Sequence, residues 1–181
     1  MISDSELIIN PDGSIYHLKA RPGDIASLIV TVGDPERVSL FEDRMDRIEK
    51  RIANREFRIV TGYISEMRFS VVSTGIGTDN IDIVLNEIDA LFNIDFDRRS
   101  LKPEPTSLQI IRVGTSGAIR ADIPLDTVIV SSMAAGLDGL LSYYQSEPYR
   151  VLGAEAQFKQ AINAEGIYIV ESDPELRTHF S

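Results

Sequence analysis

The sequence predicts an α/β fold in which a mixed, mainly parallel sheet is flanked by helices. Three observations point there: short apolar runs punctuated by glycine, amphipathic helical segments between them, and a glycine turn closing three of the runs. With 181 residues, 43% of them hydrophobic and 25% charged, the chain is long enough to bury a sizeable core. A single domain over residues 1–181 is the default expectation.

The elements follow in order. Ser27 to Val32 (SLIVTV) reads as a buried strand. Gly33 then turns the chain, Asp34 is a good N-cap, and Pro35 and Glu36 suit the first turn of a short helix. Arg51 to Val60 and Glu66 to Ser73 read as strands paired around a turn at Thr61-Gly62-Tyr63. Asn80 to Phe92 has the spacing of an amphipathic helix. Asn93 to Ser107 (NIDFDRRSLKPEPTS) is a charged, proline-containing surface excursion. Leu108 to Val113 reads as another central strand, and Thr127 to Ser131 as a further one. Met133 to Tyr149 is expected to be loop and cover, Gly153 to Ala164 a helix, and Gly166 to Glu171 a last strand with no closing element after it. No internal repeat is visible.

Composition narrows the partners. A formal charge of -10 and a pI near 4.7 argue against general affinity for nucleic acid or for an anionic membrane, so any phosphate must be held by a small local cluster. The absence of cysteine excludes a disulfide framework, a thiol nucleophile and thiolate-bound zinc. The acidic residues show no metal-ligand spacing. The first residues lack a basic n-region followed by an apolar run, and no stretch is long enough to span a bilayer, so a soluble, cytoplasmic protein is expected.

Three strand ends share one grammar: Val32-Gly33-Asp34, Ser73-Thr74-Gly75-Ile76-Gly77 and Val113-Gly114-Thr115-Ser116-Gly117. Beyond the carboxyl ends of parallel strands, glycine lets backbone N–H groups approach an anion. GIGTDN lacks the third glycine of a dinucleotide fingerprint, and nothing matches the GxxxxGK[ST] phosphate loop. Arg37 stands in a first helical turn, where a cation opposes the helix dipole by a few tenths to about 1 kcal/mol. It is either a solvated surface arginine or one that waits for an anion. Arg112, inside an apolar strand, is expected to be buried and to meet either an internal carboxylate or a bound oxyanion. Thr115 and Ser116 are open to backbone capping or to ligand contact. His17 in IYHLKA and Arg55 in ANREF carry no chemical signal of their own.

Taken together, IYHL, VGDPERV, ANREF, STGIG with the helix bearing Glu87, and IIRVGTSGAI followed by DTVIV resemble the uridine phosphorylase branch of the nucleoside phosphorylase family. The resemblance covers roughly His17 to Asp138. It implies a mixed sheet closed into a distorted barrel among helices, and reversible phosphorolysis of a nucleoside by a pentosyltransferase that uses inorganic phosphate as co-substrate, with no cofactor and no metal. It further implies phosphate contacts from Gly33, Arg37, Arg112 and Thr115, and from Arg55 of a neighbouring subunit. His17 of that neighbour would hold the ribose 5'-hydroxyl, and Ser116 and Gly117 would lie beside the base. Ser116 replaces a threonine common in the family. A homodimer, or a hexamer built as a trimer of dimers, is implied by the shared site.

The family's ribose-gripping and base-gripping residues lie farther along than this sequence runs. The chain is therefore expected to be the N-terminal portion of the domain and inactive alone, and no catalytic residue is assigned. Uridine is the leading substrate. The alternatives are a purine nucleoside phosphorylase and a truncated, non-catalytic protein that binds phosphate or nucleoside. Hydrolytic nucleosidases have no need of phosphate arginines, so Arg37 with Arg112 argues against hydrolysis.

Overall fold

The computed structural model describes residues 1–180. The chain divides into two compact units, residues 1–116 and the residues from 117 onward. The first unit runs β1 (Leu28–Val32), α1 (Pro35–Glu42), β2 (Arg47–Asn54), β3 (Phe57–Ile64), β4 (Met67–Ser73), α2 (Thr78–Asn93), a short ladder of β5 (Ile94–Asp95) with β6 (Ser100–Leu101), and β7 (Gln109–Val113). Its five-stranded sheet has the order β2-β3-β4-β1-β7. The sheet is mixed, as expected: β1 is parallel to both β4 and β7, while β2, β3 and β4 form an antiparallel meander.

The turns of that meander differ from the expected one. Asn54 pairs with Phe57 and Ile64 with Met67, so the reversals are the two-residue loops Arg55-Glu56 and Ser65-Glu66. Arg55 (φ +54°) and Ser65 (φ +53°) adopt the left-handed backbone there, as such tight loops demand, without a glycine to mark them. Thr61-Gly62-Tyr63 lies inside β3 instead. Gly62 answers a close approach: a Cβ on it would stand 2.5 Å from the Arg47 carbonyl oxygen and 2.6 Å from Met45 Sδ, beside the irregularity between Ile48 and Lys50 in β2. A glycine in a strand has this second meaning.

Alternation along the strands feeds two apolar clusters. Ile29, Ile59 and Val72 pack with Leu18, Ile25 and the α2 residues Val84, Ile88 and Leu91, whose spacing is one face of a helix. Val32, Val60 and Val71 pack with Phe69 and with Val38 of α1. Helix α1 begins as expected: Asp34 Oδ1 accepts the Glu36 N–H at 2.8 Å, and proline fills the first turn.

The second unit holds β8 (Met133–Gly136), α3 (Leu152–Ile162), β9 (Tyr168–Glu171) and α4 (Pro174–Thr178), with two short 3-10 turns between β8 and α3. The strand expected at Thr127 to Ser131 is absent; residues 114–132 form no strand, and Val128 is 91% exposed. Strand β8 forms later, within the stretch expected to be loop, because there it finds a partner: Ala135 pairs with Ile169 and Gly136 with Tyr168. Helix α4 follows β9, where no closing element was expected. No helix among the described residues is long and apolar enough to cross a membrane.

Candidate functional site

Register makes the site. Val32 at the end of β1 is level with Ser73 at the end of β4 and with Val113 at the end of β7. Three parallel strands thus stop at one edge, where ligands of open α/β sheets collect. The segments that leave them enclose a cleft of about 580 Å³ lined by Gly33, Asp34, Pro35, Arg37, Gly75, Ile76, Gly77, Asn80, Arg112, Gly114 and Thr115. All three glycine-bearing strand ends therefore converge, and Gly33, Arg37, Arg112 and Thr115 meet in one place.

Arg37 sits in the first turn of α1, and its Nη2 donates to Thr115 Oγ1 at 3.2 Å. Arg112 lies opposite Thr31 in the β1–β7 ladder, and its guanidinium reaches across toward Gly33: a Cβ on Gly33 would be 3.2 Å from Arg112 Nη2 and 2.9 Å from Ile76 Cγ2. The expectation of a buried Arg112 needs correction. Strand β7 is the edge of its sheet and Arg112 is an exposed residue. Nor is there an internal carboxylate for it. Among the described residues Arg112 has no hydrogen bond and no ion pair, and its pKa is held below the usual arginine range by partial shielding from water and then by the nearby charge of Arg37. Two cations at one cleft, neither in an ion pair among the described residues, form a site that gains from an anion.

The carboxylate lining the cleft, Asp34, is engaged in capping α1 through Oδ1. Gly75 adopts φ +65°, and Gly77 precedes α2 without a side-chain cap.

His17 and Arg55 do not line the cleft; they share another patch of the first unit. Glu87 on α2 accepts the backbone N–H groups of His17 (2.9 Å) and Leu18 (2.8 Å) and lies 2.7 Å from His17 Nδ1, while Asn54 Nδ2 donates to the His17 carbonyl at 2.7 Å. Arg55, exposed in the β2–β3 turn, donates from Nη2 to the Tyr16 hydroxyl at 3.1 Å, and Tyr16 stands edge-on to the His17 ring. Ser116 and Gly117 follow Thr115 as exposed residues outside any helix or strand and are not among the residues lining the cleft.

The sequence pattern alone does not single out Asn80 as a site residue, nor does it show that Tyr16 and Asn54 tie His17 to the Arg55 turn. For Asn80 a signal is present, since a polar residue in the first turn after a glycine loop faces the same strand ends.

A model of the phosphorylase superfamily matches residues 27–179 of this chain. The uridine phosphorylase of Thermococcus kodakarensis is 32% identical over 138 residues, which are 76% of this chain and 45% of that protein. The guanosine phosphorylase of Halorubrum lacusprofundi is 29% identical over 133 residues, 74% of this chain and 49% of that protein. Among solved structures, the Trypanosoma brucei nucleoside phosphorylase described as showing uridine phosphorylase activity superposes with a TM-score of 0.84 at 30% identity, covering 95% of this chain and 59% of that one. The chain spans about half the length of the curated relatives it matches.

Proposed function

The chain belongs to the phosphorylase superfamily, and on that premise we propose that it forms the phosphate-holding part of an enzyme that cleaves a nucleoside, uridine foremost, to free base and pentose 1-phosphate. The observation that carries the reading is the pair Arg37 and Arg112 at one cleft beside Gly33 and Thr115, with Arg112 lacking any carboxylate partner among the described residues. In phosphorolysis a phosphate oxygen forms a bond to the anomeric carbon while the bond to the base nitrogen breaks, and the electron pair of that bond leaves with the base. The sugar passes through an oxocarbenium-like state. Holding phosphate against that carbon removes the entropic part of the barrier, and guanidinium groups with oriented N–H donors are suited to hold it.

In this reading Gly33, Arg37, Arg112 and Thr115 bind phosphate, which is the co-substrate. Arg55 of a neighbouring subunit adds a further charge, and that neighbour's His17, held by Glu87, orients the ribose 5'-hydroxyl. Ser116 and Gly117 lie beside the base. A purine nucleoside is the second reading, favoured by the guanosine phosphorylase among the relatives at nearly the same identity.

The test is base release from uridine, inosine and guanosine, each with and without inorganic phosphate. Any release is expected to require phosphate; release at the same rate without it, or a chain that binds no phosphate, overturns the reading. The shared site has its own test in the complete enzyme. Mixing an Arg55→Ala protein with an Arg112→Ala protein is expected to restore part of the lost activity through hybrid sites. Absence of recovery in demonstrated heterodimers would show that each chain owns its whole site.

A further inference from the structure

Asn80 lies in the first turn of α2 and lines the cleft with Arg37 and Arg112. It is half-buried, and its side-chain amide makes no hydrogen bond among the described residues. Gly75 gives it room: with φ +65° and no side chain there, a Cβ would stand 3.0 Å from Asn80 Nδ2.

The hydrogen-bonding inventory of the cleft is lopsided. The guanidinium groups of Arg37 and Arg112 only donate. The Thr115 hydroxyl already accepts from Arg37, so its proton is free to be given. Asp34 Oδ1 is taken by the α1 cap, and its second oxygen, although an acceptor, presents a negative charge to the anion and offers no donor. Inorganic phosphate near neutral pH keeps a P–OH proton that needs an acceptor, whereas sulfate carries none. Asn80 is the uncommitted side chain that offers a donor and an acceptor on one planar amide.

Building on the phosphate reading above, we propose that Asn80 is a specificity-determining contact by which the cleft distinguishes phosphate from sulfate. Oδ1 accepts the P–OH proton, and Nδ2 donates to a second oxygen of the same phosphate. Arg37 and Arg112 supply attraction for either anion, and Asn80 supplies the distinction.

The experiment is calorimetric titration of the 181-residue chain with inorganic phosphate and, separately, with sulfate. The proteins compared are the wild type, Asn80→Ala and Asp34→Ser, the last of which removes the competing carboxylate while keeping an N-cap residue. The wild type is expected to prefer phosphate. Asn80→Ala is expected to lose about tenfold in phosphate affinity and distinctly less in sulfate affinity, because sulfate loses only the Nδ2 donor while phosphate loses the Oδ1 acceptor as well, so that the phosphate-to-sulfate ratio falls several-fold. Asp34→Ser is expected to retain the preference. Because the readout is a ratio of two anions on one protein, general loosening of the cleft, which weakens both, does not mimic it. An unchanged ratio in Asn80→Ala, or a ratio that collapses in Asp34→Ser instead, overturns the inference while leaving the phosphate reading standing. A wild-type chain that binds neither anion overturns both.

Discussion

Replacing Arg112 with alanine is expected to weaken phosphate binding by about 1.5 to 3 kcal/mol, a loss of about tenfold or more, while leaving the fold at least as stable as before. The two halves of that expectation have one cause. Arg112 has no internal partner among the described residues, so its removal strands no carboxylate and breaks no ladder contact of the β7 backbone. Its folded-state pKa is depressed, through shielding and then through Arg37. For a cation this sign means that the charged form is less favourable in the folded state than in the unfolded one. At every pH below that pKa the charge therefore costs stability, and truncation relieves the cost. Bound phosphate relieves it too, so saturating phosphate is expected to raise the unfolding midpoint of the wild type and hardly to move that of the variant. Calorimetry and thermal unfolding, with and without phosphate, check both halves. Unchanged phosphate affinity removes Arg112 from the site; a variant that unfolds on its own shows that the arginine is structural after all.

The largest expected effect on stability is at Glu155 in the second unit. Its residue is only 3% exposed, and its carboxylate accepts from Arg150 Nε at 2.7 Å, from Arg150 Nη2, and from the Ile169 backbone N–H at 2.9 Å. One side chain thereby ties α3 to β9 and to the segment before α3. Glu155→Gln leaves Arg150 without its counter-charge and is expected to destabilise this unit by about 3 kcal/mol. The Arg150 hydrogen bonds, opposed by burial, lower the Glu155 pKa from 4.5 to about 2. A depressed carboxylate contributes fully above its unfolded pKa, so this contribution is expected to persist above about 4.5 and to fall away as the pH drops toward 2. Hydrogen exchange at the Ile169 amide reads it most locally. Protection that is equal in the variant and the wild type, or that does not decline with acid, would contradict the assignment.

Most of the cleft is legible in the sequence because its chemistry sits on parallel strands. Apolar runs ending in glycine identify strand ends, and parallel register brings such ends to one edge, so the glycine turns with Arg37 and Arg112 beside them point to a shared anion without coordinates. Grouping Gly33, Arg37, Arg112 and Thr115 at one phosphate rests on the family resemblance. The environment of Arg112 is not legible, since an apolar run reads alike in a central strand and an edge strand. The meander misleads for a related reason. Its turns use Arg55 and Ser65 in the left-handed region, while the glycine that suggests a turn, Gly62, instead makes room for the Arg47 backbone. Strand β8 shows the limit of local pattern: Thr127 to Ser131 is the more β-prone stretch, but the ladder forms at Met133–Gly136, where β9 supplies hydrogen-bond partners. Asn80 escapes notice because a lone asparagine reads as a helix start, and only the cleft reveals that its amide has no other task.

The central claim, that Arg37 and Arg112 hold phosphate at the ends of β1 and β7, is tested most directly by titrating the nitrogen-15-labelled chain with inorganic phosphate while following the Nε signals of both arginines and the backbone amides of Gly33 and Thr115. These four signals are expected to move together along one binding curve, and the Arg55 Nε signal to stay still in the monomer. Phosphate that leaves the Arg37 and Arg112 signals unmoved, or that shifts other signals in their place, would contradict it.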